Sequence, residues 1–293
     1  MSALATASVV EALLRPLTTA NLVEALLESV LYGVYGVLCI TVLYLFRSRE
    51  RRPAVWVSLG LVIQFFTITG HWICTLYATL FAFVHLGGGT AAAAFYENIS
   101  LPWYLTNLGF YGVGFLVTDL LVIHRVHVIF SNSRTVIILP FIFLVVQVVS
   151  EVVFLCQFAK SHPDETFFVL YGLSNPWITT SVATSLMISV YSTGMISWKI
   201  RRITRVLNRL SERIDGDVPL MFILAIIAES AALQTAISIG ILVTYHIGFV
   251  GQVVFTGISP VVIGISTMLI YARIGLGWAY GSDADGVASN PTT

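Results

Sequence analysis

Seven long apolar stretches separated by short polar connections constrain the fold of this chain more than any other feature of its sequence. A membrane-crossing helix needs about 20 consecutive, mostly apolar residues. We predict seven crossings, at residues 26–46, 54–82, 105–129, 135–156, 176–198, 219–244 and 252–272. With 57% hydrophobic and 10% charged residues, the chain is too apolar for a soluble globular protein. The predicted fold is therefore an all-α bundle of seven transmembrane helices.

The basic residues predict the orientation of this bundle. Thirteen of the fifteen lie in or beside connections that would share one side of the membrane: Arg47, Arg49, Arg51, Arg52, Arg125, Arg134, Lys199, Arg201, Arg202, Arg205, Arg209, Arg213 and Arg273. Only Arg15 and Lys160 fall on the other side. Since loops rich in lysine and arginine stay in the cytoplasm, we predict an outside N-terminus and an inside C-terminus.

The domain organisation follows from these crossings. Residues 1–281 are predicted to form one membrane domain, in which 1–22 is a short tail with a surface turn of helix, and 282–293 a polar cytoplasmic tail. The second connection holds the sequon Asn98-Ile99-Ser100, which predicts glycosylation of Asn98 on the outside. Three cysteines in apolar segments are interpreted as buried thiols, with a Cys74–Cys156 disulfide as the alternative.

Acidic and basic side chains inside the third and sixth segments are the first candidate functional residues. Asp119 and Glu229 lie at similar depths near the middle of the bilayer, where a carboxyl must face the bundle interior. They are either two neutral acids held by hydrogen bonds or a switch that couples the two helices. Arg125 and His124, near the inner end of the third segment, complete the set of switch candidates.

A second set of polar residues lies toward the predicted outer half of the bundle. His71, Gln147, Glu151 and Gln234 would line a small-molecule pocket if they converge. Taken singly, each residue is better explained as a packing hydrogen bond, because polar side chains commonly bridge membrane helices. The sequence does not show whether the four side chains meet.

The fifth connection is predicted to continue the fifth helix as an amphipathic, basic extension. Arg201, Arg205, Arg209 and Arg213 recur every four residues and form one row on a helix. Such a row beside a cytoplasmic leaflet attracts anionic lipid. A heterotrimeric G protein is the alternative partner.

Three runs of sequence resemble a known family. They are Asp119 to Phe130 followed by Asn132 to Pro140, Ile226 to Leu233, and Ile270 to Gly277. They are similar to the large, uncharacterised family of seven-helix proteins of mushroom-forming fungi. His124 stands where that family has an aromatic residue before arginine, and Ala231 where it has glycine. The resemblance implies a receptor-like membrane protein whose ligand is not established.

The leading functional hypothesis is a multi-pass plasma-membrane receptor for a small or lipophilic ligand, without enzymatic activity. A proton-coupled transporter is the alternative, because Asp119, Glu151 and Glu229 could carry protons and Pro260 could break a helix at a substrate site. No cofactor is expected, because residues 252–272 hold no lysine for a retinal Schiff base. The scattered histidines predict no metal site. No nucleic-acid partner is expected, although the balanced net charge itself gives no information about one.

Overall fold

A computed structural model describes the backbone of residues 2–48, 55–98, 100–130, 134–160, 175–210, 218–248 and 250–288. Side chains are described over 17–48, 55–98, 100–130, 135–160, 175–203, 205, 232–248 and 250–273. The elements are α1 (Ser2–Arg47), α2 (Val55–Leu80), a π-helical turn (Phe81–His85), α3 (Gly89–Glu97), α4 (Pro102–Ile129), α5 (Arg134–Lys160), α6 (Pro176–Leu210), α7 (Val218–Ile247) and α8 (Gln252–Ala288). Within these residues the chain is all-helical.

Five of the described helices are long and apolar enough to cross a membrane. These spans are Leu17–Arg47, Val55–His85, Pro102–Ile129, Thr135–Lys160 and Gln252–Arg273. The part of α7 whose side chains are described is a shorter apolar helix, Ala232–Ile247. Large apolar side chains such as Val30, Ile40 and Leu43 on α1 are about 70% exposed, as lipid-facing residues would be. The protein is thus polytopic, and helices satisfy its backbone hydrogen bonds inside the bilayer.

The helices form a closed ring. Successive long helices pack against each other from α1 to α2, α4, α5, α6, α7 and α8, and α8 packs back against α1. α4 also contacts α6 and α8, which places it toward the centre. α3 packs on α1 at the end of the ring that we call the α3 face. The C-terminal ends of α1, α4 and α6 lie at the opposite face of the ring.

Several boundaries differ from the sequence expectation. The expected tail over residues 1–22 is instead part of α1, which begins at Ser2. α8 continues as a helix to Ala288, well into the segment 282–293 that was expected to be a tail. The second connection, for which no helix was expected, contains α3. Gly87 and Gly88 before this helix and Gly89 at its first position all have positive φ, which explains why glycine occupies this turn.

Pro260 lies inside α8 without ending it. A proline cannot donate a hydrogen bond to the carbonyl four residues earlier, here that of Thr256. The hydroxyl of Ser259 donates to that carbonyl oxygen at 2.7 Å. A neighbouring side chain therefore satisfies the group that proline leaves free, as is common in membrane helices.

α1 and α8 approach closely at two glycines. A Cβ atom at Gly264 would overlap the side chains of Ile68 and Tyr35, and one at Gly257 would overlap the carboxyl of Glu24. Small residues at a helix–helix contact allow this approach in membranes. Gly257 thereby makes room for an acidic side chain inside the bundle.

Candidate functional site

Asp119 on α4 is fully buried and contacts α7. The amide nitrogen of Gln234 donates a hydrogen bond to one carboxyl oxygen of Asp119 at 3.3 Å. The side chains of Ser185 on α6 and Gln147 on α5 also lie beside this carboxyl. Asp119 therefore touches three neighbouring helices.

Glu151 on α5 extends this arrangement toward the α3 face. One of its carboxyl oxygens accepts hydrogen bonds from Gln147 at 3.3 Å and from Ser181 of α6 at 3.2 Å. The carboxyl packs against Gly112 of α4, where a Cβ atom would lie 3.2 Å from its other oxygen. We call the whole set the four-helix network: Asp119, Gln147, Glu151, Ser181, Ser185 and Gln234.

The electrostatics of the four-helix network depend on its two acids. Among the described residues, no lysine, arginine or histidine pairs with Asp119 or Glu151. A carboxyl at this depth is stable when it holds a proton or lies beside a cation. The network can therefore bind a proton or a small cation, and its amide and hydroxyl groups can exchange partners when helices shift.

The structure brings together most of the candidates that the sequence placed in two separate sets. Gln147, Glu151 and Gln234, expected in a ligand pocket, join Asp119, expected in a switch. The side chain of Glu229 lies outside the described residues, so its predicted contact with Asp119 stays a prediction. Among the described side chains of α7, Gln234 contacts Asp119.

Arg125 does not balance the charge of Asp119. Its guanidinium lies 4.7 Å from the ring centroid of Tyr271 on α8, and its Nε donates to the Tyr271 hydroxyl at 3.5 Å. His124 is half-buried one residue earlier. Both residues lie near the opposite face of the bundle, and Arg125 links α4 to α8 there.

His71 belongs to a different site. Its Nδ1 lies 2.7 Å from a carboxyl oxygen of Glu28 on α1, and both side chains are almost completely buried. We call these two residues the α1–α2 pair. Sequence reasoning missed Glu28 and the neighbouring Glu24, although both are buried. Val42, Tyr35 and Glu28 recur every seven residues, Glu24 lies four residues before Glu28, and Leu17 lies seven before Glu24. All five residues therefore share one face of a helix, and this periodicity could have identified the two acids.

A cavity of about 80 Å³ lies beside the α1–α2 pair, and we call it the α3-face cavity. Its walls come from α1, α2, α3, α4 and α8, and they include Glu24, His71, Asn107, Trp103 and Gln252.

A second cavity, of about 30 Å³, shares Tyr111, Gln252 and Thr256 with the first. It is also lined by Ser181, which donates to Glu151. The two cavities therefore share a wall; the first borders His71 of the α1–α2 pair, and the second borders Ser181 of the four-helix network.

The basic extension of α6 is present at the opposite face. The helix continues to Leu210, with Arg201 and Arg205 exposed, while Ile196 and Ile200 pack against Val126 of α4. This arrangement confirms the predicted continuation of the fifth helix. The side chain of Arg209 and the whole of Arg213 lie outside the described residues.

The remaining predictions concern the glycosylation site, the cysteines and metal binding. Asn98 follows α3, and its side-chain oxygen accepts a hydrogen bond from the Ser100 hydroxyl at 2.7 Å. Cys39, Cys74 and Cys156 are all free thiols. In the part of the chain that is described, no group of three or more histidine, cysteine, aspartate or glutamate side chains could hold a metal ion.

Comparison of the chain with protein-family models, with curated proteins and with solved structures gave no match.

Proposed function

We propose that this polytopic protein is a receptor that senses a small or lipophilic ligand at its α3 face and signals through the opposite face. The observation that carries the proposal is the four-helix network, which joins α4, α5, α6 and α7 through contacts that can exchange partners. A ligand in the α3-face cavity would contact Tyr111, Gln252 and Thr256, which also line the cavity beside Ser181. Ligand binding and network geometry would then be coupled, provided the ligand prefers one arrangement of the network.

The proposed receptor has seven spans, with the α3 face outside and the plasma membrane as its location. The thirteen-to-two distribution of basic residues supports this orientation. We expect a glycan on Asn98 that an added glycosidase removes from intact cells, and a connection over 199–218 that protease reaches only after permeabilisation. Cleavage of that connection in intact cells would overturn the orientation.

The proposed signalling surface is the basic extension of α6, with a heterotrimeric G protein as its partner. Arg201 and Arg205 point away from the buried face formed by Ile196 and Ile200, so they are accessible. Anionic lipid would bind the same surface, at about 1 kcal/mol per basic residue. The resemblance to the seven-helix proteins of mushroom-forming fungi supports the same receptor-like reading, and we propose that the chain is one of them.

The experiment is a ligand screen with nucleotide exchange on Gα subunits as the readout. We expect a ligand that accelerates exchange with the wild-type protein and not with the Arg201→Gln/Arg205→Gln variant at equal surface expression. Thr41→Val, an exposed substitution on α1, serves as the control. Absence of exchange with every Gα subunit, together with substrate uptake into proteoliposomes, would contradict the receptor proposal.

A proton-coupled transporter is the second candidate, and one observation favours it. Asp119 and Glu151 are buried acids without a basic partner among the described residues, an arrangement suited to carrying protons. Uptake driven by a pH gradient, and lost in Glu151→Gln, would support this alternative.

A further inference from the structure

We propose that the α3-face cavity binds a small organic cation, a protonated primary amine, with Glu24 as its counter-charge. The inference rests on the proposed function only in taking this cavity as the sensory site. It goes further by naming the chemical class of the ligand.

Three polar side chains of the cavity wall lack partners. Glu24 on α1 is 9% exposed, and its carboxyl forms no hydrogen bond with the described residues. The side-chain carbonyl of the buried Gln252 and the indole nitrogen of Trp103 also lack a hydrogen-bond partner. All three residues line the cavity. Because buried polar groups are almost always satisfied, a ligand with polar atoms is expected here.

The charge of the site favours a cation. Glu24 and Glu28 lie four residues apart on one face of α1, and His71 pairs with Glu28. No lysine or arginine is among the described residues that line the cavity. Glu24 is therefore left without a basic partner, and a buried carboxylate needs a cation beside it. An ammonium group supplies the charge and donates to the side-chain carbonyl of Gln252, whereas the indole N–H of Trp103 is itself a donor and is not satisfied by an ammonium group.

The aromatic residues of the wall fit the same ligand. Tyr96, Trp103, Tyr104 and Tyr111 all line the cavity. Aromatic faces attract cations, most strongly where water is excluded. Burial raises the pKa of the Tyr96 phenol on α3 to about 12, so this hydroxyl remains protonated at neutral pH. The wall thus combines one acid with uncharged aromatic groups, which selects against an anionic ligand.

The size of the cavity limits the group that enters. A volume of about 80 Å³ is roughly half that of an engineered cavity of about 150 Å³ that holds benzene. It accommodates an ammonium group with about three carbons. The ligand is therefore a short alkylamine or the amine end of a longer molecule.

The test is a binding titration with n-propylammonium as the probe and uncharged 1-propanol as its isostere. Ligand-observed NMR is carried out on the protein in phosphatidylcholine nanodiscs, without G protein. We expect the amine to bind at least tenfold more tightly than the alcohol. Glu24→Gln should weaken amine binding at least tenfold, whereas Glu97→Gln, on α3 and outside the cavity wall, should change it less than twofold.

Equal affinity for amine and alcohol, or unchanged amine binding in Glu24→Gln, would overturn the inference. The melting temperature of each variant confirms folding. If Glu24→Gln does not fold, Glu24→Asp is used; because it keeps the charge, it should still bind the amine more tightly than the alcohol, and equal binding of the two would overturn the inference. A second titration in phosphatidylethanolamine nanodiscs identifies the source of the ammonium group. If the probe no longer binds there, the lipid headgroup occupies the cavity; if it still binds, the natural ligand is a free amine. Amine binding without Gα exchange would contradict the receptor proposal and support this inference. Exchange driven by uncharged ligands alone would support the receptor proposal and contradict this inference.

Discussion

The α1–α2 pair and the four-helix network stabilise buried acidic side chains through different kinds of contact. In the pair, Glu28 meets one imidazole at 2.7 Å. In the network, Asp119 and Glu151 meet amide and hydroxyl groups at 3.2–3.3 Å. The pair joins two neighbouring helices by one short contact between an acid and a base. The network joins four helices by several longer contacts between acids and neutral groups.

This difference suggests that one region has a structural role and the other a role in conformational change. Removing one partner of a buried acid–base pair is strongly destabilising, because the other partner is left without compensation. Hydrogen bonds between neutral groups of membrane helices contribute only about 0.6 kcal/mol on average, because alternative partners are available. The pair is therefore suited to holding the wall of the α3-face cavity in place, and the network to changing its arrangement.

The largest expected effect is on the α1–α2 pair. We predict that Glu28→Leu lowers the free energy of unfolding by about 3–5 kcal/mol, because His71 is left buried without its acidic partner. The double variant Glu28→Leu/His71→Leu should recover part of this loss, and Glu28→Gln should cost less than Glu28→Leu. Reversible unfolding in mixed micelles measures these differences. A loss in Glu28→Leu no larger than that in Glu28→Gln would remove the distinction between the two regions.

Much of the network could be predicted from the sequence. Asp119, Gln147, Glu151 and Gln234 each interrupt an apolar segment, and the cost of a polar group facing lipid directs such side chains inward. Depth along a helix follows from its rise per residue. The rotation of each helix about its axis does not, and this rotation decides which inward residues meet. For that reason His71 was grouped with residues that it does not contact, and Asp119 was separated from Gln234.

The cavity could not be predicted because its acids lie near the start of the first apolar segment. Glu24 lies before the expected start of that segment at residue 26, and Glu28 just after it, where charged residues are common beside a membrane. Both acids are nevertheless buried inside the bundle, Glu24 beside Gly257 of α8 and Glu28 beside His71 of α2. α3, which contributes Tyr96 to the wall, has only nine residues, and its run of alanines shows no amphipathic pattern from which a helix could be predicted.

Substitutions in the network should have a small effect on stability and a measurable effect on output. We expect Asp119→Asn to lower the free energy of unfolding by less than about 1 kcal/mol, since the amide can still hydrogen-bond to Gln234. The change removes the carboxyl that contacts three helices, so the balance between arrangements of the network should shift. Because ligand binding and network geometry are proposed to be coupled, the affinity of the α3-face cavity for propylammonium should shift together with this balance.

The most direct test of this account is the basal rate of nucleotide exchange on Gα, measured with the purified protein in nanodiscs without ligand. Wild type is compared with Asp119→Asn, with Gln234→Leu and with the double variant, and Glu97→Gln serves as a control with the same change of charge. The account predicts at least a threefold change of the basal rate in each network variant. It also predicts a non-additive effect in the double variant, because the two residues share one contact. Folded network variants with the basal rate of wild type would contradict it.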